Sequence, residues 1–378
     1  MRIKLSNRIN AVEESKTARF IPLFEQLQKQ GQKIINFAVG EPHYPTPKAV
    51  IDAAKTALDM GQTRYGPVAG LLELRSALAE LYKGYGPDNI IILNGSKHCL
   101  YAIFQVIINP LDEVIIPVPC WVSFAQQVKL AGGKPVFVKT VDHQLDIPAM
   151  QSAITSKTRA ILINSPNNPT GAVYPAKDLA KIAEIAKKND LYVISDEAYE
   201  HYIYDGQSHT SIFSFKEIQE KTIITKSFSK HFQMTGFRIG YVAAHSELVD
   251  AIIKFQSHCT GNVCTFAQHG ALAALDLAEK ITAGYLSDLA AKRELAFQLV
   301  NNLFECIKPA GAFYLFPNIH KYLQPGETSR EFAARLLEKT GVAVVPGDDF
   351  GLEGHIRISY AVPETTLLLG FKKIKEVL

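Results

Sequence analysis

Cysteine is sparse and scattered in this sequence. Cys99, Cys120, Cys259, Cys264 and Cys306 are odd in number and none stands in a Cys-x-x-Cys pair, which speaks against a structural zinc site or a dithiol redox centre and for reduced thiols. Charge of one sign is lacking too. Lys and Arg number 40 against 37 Asp and Glu, a net +3 over 378 residues. That is too little to imply a nucleic-acid or anionic-membrane surface, so any pull on acidic metabolites must come from local arginines and lysines. No run approaches the roughly 18–20 apolar residues that span a bilayer, and the opening MRIKLSNRINAVEESK has no apolar core of signal-peptide length. A cytoplasmic protein with no metal is the expectation. Repeats of solenoid period and low-complexity tracts are also missing. What is present is a globular composition, 47% apolar and 20% charged, in a chain too long for one ordinary core. Two domains, or one large α/β domain with a satellite, are expected.

Short apolar runs alternate with amphipathic stretches. Strands are predicted at 90–93, 113–118, 135–138, 160–163, 191–195, 222–225 and 239–243, with helical patterns at 71–82, 97–108, 176–188 and 247–257. Near-continuous apolar strands separated by helices indicate a mostly parallel sheet covered on both faces. Ligands of such sheets sit at the carboxyl ends of the strands. A long helix at about 277–304 is predicted to leave the large domain. Strand-like 311–316, a helix at 329–339, and strand-like 342–345 and 355–359 then predict a smaller α+β domain. The expected division is 1–45 as an N-terminal segment packing with the small domain, 46–285 as the large domain and 286–378 as the small one.

The residues after the strands carry the functional signal, though each has a plainer reading alone. Asn94-Gly95-Ser96-Lys97 opens a helix, where free N–H groups suit a phosphate or Ser96 simply caps. Asn164-Ser165-Pro166-Asn167-Asn168-Pro169-Thr170-Gly171 is a turn or a source of amide donors to an aromatic oxygen. Asp196 ends a buried strand and caps the next element or pairs with a cation. Lys230, in Ser227-Phe228-Ser229-Lys230, is a solvated turn lysine or a desolvated amine that forms Schiff bases. Arg238 precedes another apolar strand, a poor place for a charge without an anion. Together they fit one ligand: a pyridine ring with a phosphate, a phenolic oxygen, an aldehyde and a ring nitrogen.

With Gly40-Glu41-Pro42, Tyr65-Gly66-Pro67, Pro119-Cys120-Trp121-Val122-Ser123, Ser195-Asp196-Glu197-Ala198-Tyr199, Gly236-Phe237-Arg238-Ile239-Gly240 and Arg357-Ile358-Ser359-Tyr360 added to those segments, nearly the whole chain resembles the class I/II aminotransferases of fold type I. These depend on pyridoxal 5′-phosphate (PLP), and the likeness is to their bacterial aspartate/prephenate subgroup. The resemblance implies an α/β fold with a mostly parallel seven-stranded central sheet flanked by helices, plus a smaller α+β domain. It implies ping-pong exchange of an amino group between an L-amino acid (aspartate or similar, aromatic, or a broad range) and a 2-oxo acid such as 2-oxoglutarate. By the same resemblance Lys230 holds PLP as an internal aldimine and shuttles the α-proton, and Asp196 pairs with the pyridine nitrogen. Asn168 and Tyr199 bond the phenolic oxygen, and Trp121 stacks on the ring. Arg238, Ser227 and the N–H groups around Gly95, Ser96 and Lys97 hold the phosphate. Arg357, helped by the Gly40 backbone, clamps the substrate carboxylate, with Trp121 and Asn168 alongside. Tyr65 reaches the neighbouring site of a homodimer.

The chain departs from the subgroup at His43-Tyr44-Pro45, where His43 touches substrate or is a loop histidine without a role. It departs also at Cys120, at Glu14-Ser15-Lys16-Thr17 and at 258–264, the last two bearing on dicarboxylate preference. Two other functions keep the same residues: another fold type I reaction, such as a C–S β-lyase or aminocyclopropane-carboxylate synthase, and a non-catalytic PLP-binding sensor.

Overall fold

The computed structural model describes residues 3–13, 29, 31 and 33–378. After β1 (Ile35–Asn36), seven strands build the central sheet: β2 (Ile90–Leu93), β3 (Glu113–Val118), β4 (Lys134–Lys139), β5 (Thr158–Asn164), β6 (Tyr192–Asp196), β7 (Thr222–Ser227) and β8 (Gly240–Ala243). Their order is β2-β8-β7-β6-β5-β3-β4. All seven predicted runs are strands of this sheet. Its apolar runs are near-continuous because both faces are covered, and the period-2 alternation of side chains then divides each run between two cores. Ile90 and Ile92 of β2, Ile161 and Ile163 of β5 and Ile224 of β7 enter one core. Ile91 and Leu93, Leu162 and Ile223 enter the other. At the edge, β4 carries the exposed Lys134 and Lys139, charges that discourage further strand pairing.

One strand departs from the parallel expectation. β8 is antiparallel to both β7 and β2. Arg238 comes before β8 in the chain, and the reversal brings it to the edge at which β2, β5, β6 and β7 end. Its position at the ligand edge thus depends on a strand direction that an apolar run does not encode.

The helix Ala278–Asn301 is 24 residues long. Its Ile281 joins the first core, whereas Leu289, Ala296 and Val300 join a further core with Ile35, Phe37, Phe313, Tyr314 and Ile358. That core is framed by β9 (Tyr314–Leu315), β10 (Val342–Ala343), β11 (Val345–Pro346) and β12 (Ile356–Ser359). β1 pairs in parallel with β10, and β11, β12 and β9 form an antiparallel sheet. The helix Ser329–Thr340 begins with a Thr328–Glu331 capping box and ends at Gly341 with φ 71°, the start and stop chemistry expected of those residues. Tyr199, Tyr202 and Tyr204, which follow β6, are buried in the same core as Tyr314, so the central sheet's ligand edge faces this second unit. Among the described residues no helix is long and apolar enough to cross a membrane.

Candidate active site

A cavity of about 400 Å³ opens where the strand ends meet β9 and β12. Its lining takes in Gly40, Ser96, Lys97, Trp121, Asn168, Asp196, Tyr199, Ser227, Lys230, Arg238 and Arg357. Residues spread over more than 300 positions therefore share one space.

At one end, the helix Ser96–Ile107 starts with Gly95 as its N-cap and no side-chain cap. Ser96 is the first helical residue, so it does not cap; the Gly95 carbonyl takes the His98 and Cys99 N–H groups at 3.0 and 3.1 Å, and those of Ser96 and Lys97 are left for an anion. Gly95 has φ +81°, and a Cβ there would stand 2.6 Å from Arg238 Nη2. Only glycine lets the guanidinium lie against the turn. Arg238 itself adopts left-handed φ 57°, ψ 53°. It donates to the carbonyls of Thr235 at 2.9 Å and Asn94 at 3.4 Å and makes no ion pair with any described acidic residue. The Ser227 hydroxyl accepts from the Ser229 N–H at 3.1 Å, which leaves its own proton free to donate. This end is an anion cradle.

Asp196 closes the floor. It is buried, and its Oδ1 accepts only the Ala198 N–H, at 3.2 Å. It caps a turn, not a helix. Burial raises its carboxyl to about 7, Glu197 adds to the rise, and the Ala198 N–H opposes it. Asn164 donates to the Asp196 carbonyl at 3.0 Å and accepts the Asn168 N–H at 2.9 Å, so the end of β5 fixes both. Behind the floor, Lys226 lies 2.5 Å from Glu200 and 3.5 Å from Glu197, and His209 lies 3.3 Å from Glu197. These charges answer one another; Asp196 has no described cation of its own.

On the walls, Tyr199 Oη is 2.9 Å from Tyr314 Oη, and the Lys97 ammonium lies 5.0 Å from the Trp121 ring centroid. Partial burial and the Arg238 charge lower the Lys97 pKa.

The Lys230 ammonium donates to the Gly40 carbonyl at 2.5 Å, and Tyr202 Oη donates to the Lys230 carbonyl at 2.7 Å. Burial lowers its pKa to about 8, with Arg357, Arg238 and Lys97 pushing the same way against Glu41. About half of these amines are therefore neutral and nucleophilic at pH 8, and about a tenth at pH 7. Opposite stands Arg357, buried, donating to Asn168 Oδ1 at 2.9 Å and the Ala38 carbonyl at 2.7 Å. Its Cζ lies over the Tyr314 ring, 4.4 Å from the centroid, and its Nε has no hydrogen-bond partner. A buried guanidinium with no described carboxylate against it is a site for one brought from outside.

Five lining residues escaped sequence reasoning: Ala38, Asn164, Ala198, Ser229 and Tyr314. Asn164 lay within a quoted motif without a role of its own. Tyr314 sits between apolar neighbours that read as core. Tyr65 does not line this cavity: it is 99% exposed and borders a separate one with Asn262, Thr265 and Phe266. Of the segment 258–264, Thr260 touches Asn94 at 3.4 Å, beside the anion cradle. Cys120 is a buried thiol. Glu14, Ser15, Lys16 and Thr17 lie outside the described residues.

PLP fits this donor set. A cradle that a Cβ would fill would take its phosphate, an uncompensated buried carboxylate its ring nitrogen, and a desolvated amine its aldehyde. Comparison with known proteins agrees. Residues 32–373 match the family model for aminotransferase class I and II. The aspartate aminotransferase of Bacillus subtilis is 39% identical over 99% of this chain and 98% of its own. A probable aspartate/prephenate aminotransferase of Aquifex aeolicus is 38% identical over 100% and 99%. A double mutant of Thermus thermophilus aspartate aminotransferase superposes with a TM-score of 0.95 at 37% identity, covering 100% of both chains. The chain belongs to the class I and II aminotransferases, PLP-dependent enzymes that move amino groups between amino acids and 2-oxo acids.

Proposed function

We propose that the chain transaminates an acidic amino acid of the aspartate type with a 2-oxo acid such as 2-oxoglutarate, and that the cavity residues divide the work as follows. PLP supplies the carbonyl carbon that takes up the amino group and the ring that accepts the electron pair released at the substrate α-carbon. Lys230 Nζ carries the cofactor and, once displaced, moves the proton from the substrate α-carbon to the cofactor carbon. Asp196 holds the proton on the ring nitrogen. Asn168 keeps its amide donors for the phenolic oxygen because its Oδ1 already accepts from Arg357, and Tyr199 donates from the other side. Trp121 covers one ring face. Arg238, Ser227 and the N–H groups of Ser96 and Lys97, at the turn made by Gly95, hold the phosphate. Arg357 clamps the α-carboxylate, drawing the second unit over the site and excluding water.

The observation that carries the substrate class is the Lys97 ammonium over Trp121. It is a cavity cation with no described acidic partner, additional to Arg238 and Arg357. A second carboxylate gives it one. The names of most of the relatives, aspartate aminotransferases, favour the same class. Lys97→Ala should raise KM for aspartate at least about tenfold, about 1.4 kcal/mol, and leave KM for an uncharged amino acid such as phenylalanine unchanged. An equal effect on both donors would remove the acidic-substrate reading.

Two further parts of the proposal rest on exposure and pairing. Tyr65, 99% exposed with its own cavity beside it, contributes to the neighbouring site of a homodimer. The unpaired state of all five cysteines suits a cytoplasmic enzyme. Domain limits of 1–45, 46–285 and 286–378 are proposed on the passage of the helix Ala278–Asn301 from one core to the other.

A further inference from the structure

Upstream of Gly40, the chain is held by sheet pairing: the Phe37 N–H bonds the Ala343 carbonyl at 2.9 Å and the Ser359 N–H bonds the Phe37 carbonyl at 2.9 Å. Downstream it is held by something the resemblance does not supply. The His43 backbone N–H donates to the Ala361 carbonyl at 3.2 Å, and ring Nδ1 lies 3.2 Å from the same oxygen. Ring Nε2 lies 3.4 Å from Lys292 Nζ. An ammonium only donates, so Nε2 accepts and Nδ1 carries the proton that faces Ala361; one neutral tautomer satisfies both contacts. Lys292 also donates to Asp288 Oδ2 at 2.6 Å, and the Tyr44 hydroxyl donates to that same oxygen. The Tyr44 ring stacks on Tyr285, centroids 4.3 Å apart. Tyr285, Asp288 and Lys292 stand at i, i+3 and i+7 on the helix Ala278–Asn301, one stripe along its side.

We propose that His43 and Lys292 are positioning residues, which with Tyr44 and Asp288 strap the chain after Gly40 to the long helix and hold the Gly40 carbonyl against Lys230 and the Ala38 carbonyl against Arg357. Neither lines the cavity; both act through the backbone between β1 and the strap. The Lys292 side chain is only 8% exposed, a costly place for an ammonium unless its partners are fixed. A strap of this kind keeps a loop at a precise distance from two reacting groups on different elements, and small misplacements at such a distance reduce binding of the reacting geometry. The inference rests on Lys230 being the cofactor lysine.

The experiment uses the PLP-loaded enzyme. His43→Phe and Lys292→Met are compared for KM, for kcat, and for the pH midpoint of the bound cofactor's visible absorbance, which reports the surroundings of Lys230 without turnover. Each variant should raise KM for the amino donor about tenfold with kcat within about threefold, and shift the absorbance midpoint by about half a pH unit or more. The double variant should be no worse than the more affected single one, because the two residues form one unit. Lys292→Arg, which keeps a donor and a charge, should recover most of the loss. If the variants lower the melting temperature while KM and the absorbance midpoint stay at wild-type values, the tie is structural only and the proposal is overturned. Additive effects in the double variant would overturn it as well. Borohydride labelling of the same samples separates this from the site assignment: label on Lys230 with no strap effect removes the strap alone, and label elsewhere removes the assignment of Lys230.

Discussion

Arg357 donates from Nη1 to Asn168 Oδ1 at 2.9 Å, joining β12 to the segment after β5 across 189 positions of sequence. The bond orients an amide and a guanidinium together, so the proposed carboxylate clamp and the proposed donor to the cofactor's oxygen are set by one contact. Arg357→Ala should raise KM for amino acids about a hundredfold, near 2.7 kcal/mol, while PLP stays bound. Arg357→Lys should recover little, since an ammonium cannot make the forked contact. Steady-state kinetics beside cofactor absorbance check both.

Gly95 gives a test of the anion cradle. A Cβ there would lie 2.6 Å from Arg238 Nη2, at a φ of +81°. Gly95→Ala should weaken PLP binding by about tenfold or more and leave the far-ultraviolet circular dichroism unchanged. Equilibrium dialysis against PLP measures it.

Asp196 makes a prediction with a definite sign. Burial raises its native pKa from the ordinary 3.8 to about 7, so between these values the folded PLP-free chain binds more protons here than the unfolded one. Its contribution is therefore fully present below about pH 4 and is lost as pH rises towards 7. Asp196→Asn should remove that part of the pH dependence, so the difference in chemical-denaturation stability between variant and wild type should grow in the variant's favour from pH 4 to 7.

In the PLP-free chain, Lys230 should react with an amine-directed acylating reagent with a midpoint near pH 8, against 10.5 for an ordinary lysine. The cause is burial first and the Arg357, Arg238 and Lys97 charges second. Mass spectrometry of the Lys230 peptide across pH gives the midpoint.

Much of this site is legible in sequence because a buried parallel strand must be apolar and its ligand edge need not be. Asn94, Asn168, Asp196 and Lys230 announce themselves by ending such runs. Arg238 is legible only as an oddity, since neither the reversal of β8 nor its own left-handed backbone is written in residue type. Tyr314 is hidden for another reason: a tyrosine among Phe313, Leu315 and Phe316 looks like core, and most of it is core. The strap is less legible still. His43 and Lys292 are 249 positions apart, and each alone reads as an ordinary loop histidine and an ordinary helix lysine. Seven predicted strands became seven observed ones, whereas side-chain partnerships between the two units had to come from geometry.

The central claim is that Lys230 is the residue that carries PLP. Its most direct test is borohydride reduction of the purified, PLP-loaded enzyme, followed by digestion and mass spectrometry. The account predicts a reduced pyridoxyl adduct on the peptide containing Lys230 and no covalent adduct in Lys230→Ala. An adduct on another lysine in the wild type, or one that persists in Lys230→Ala, would contradict it.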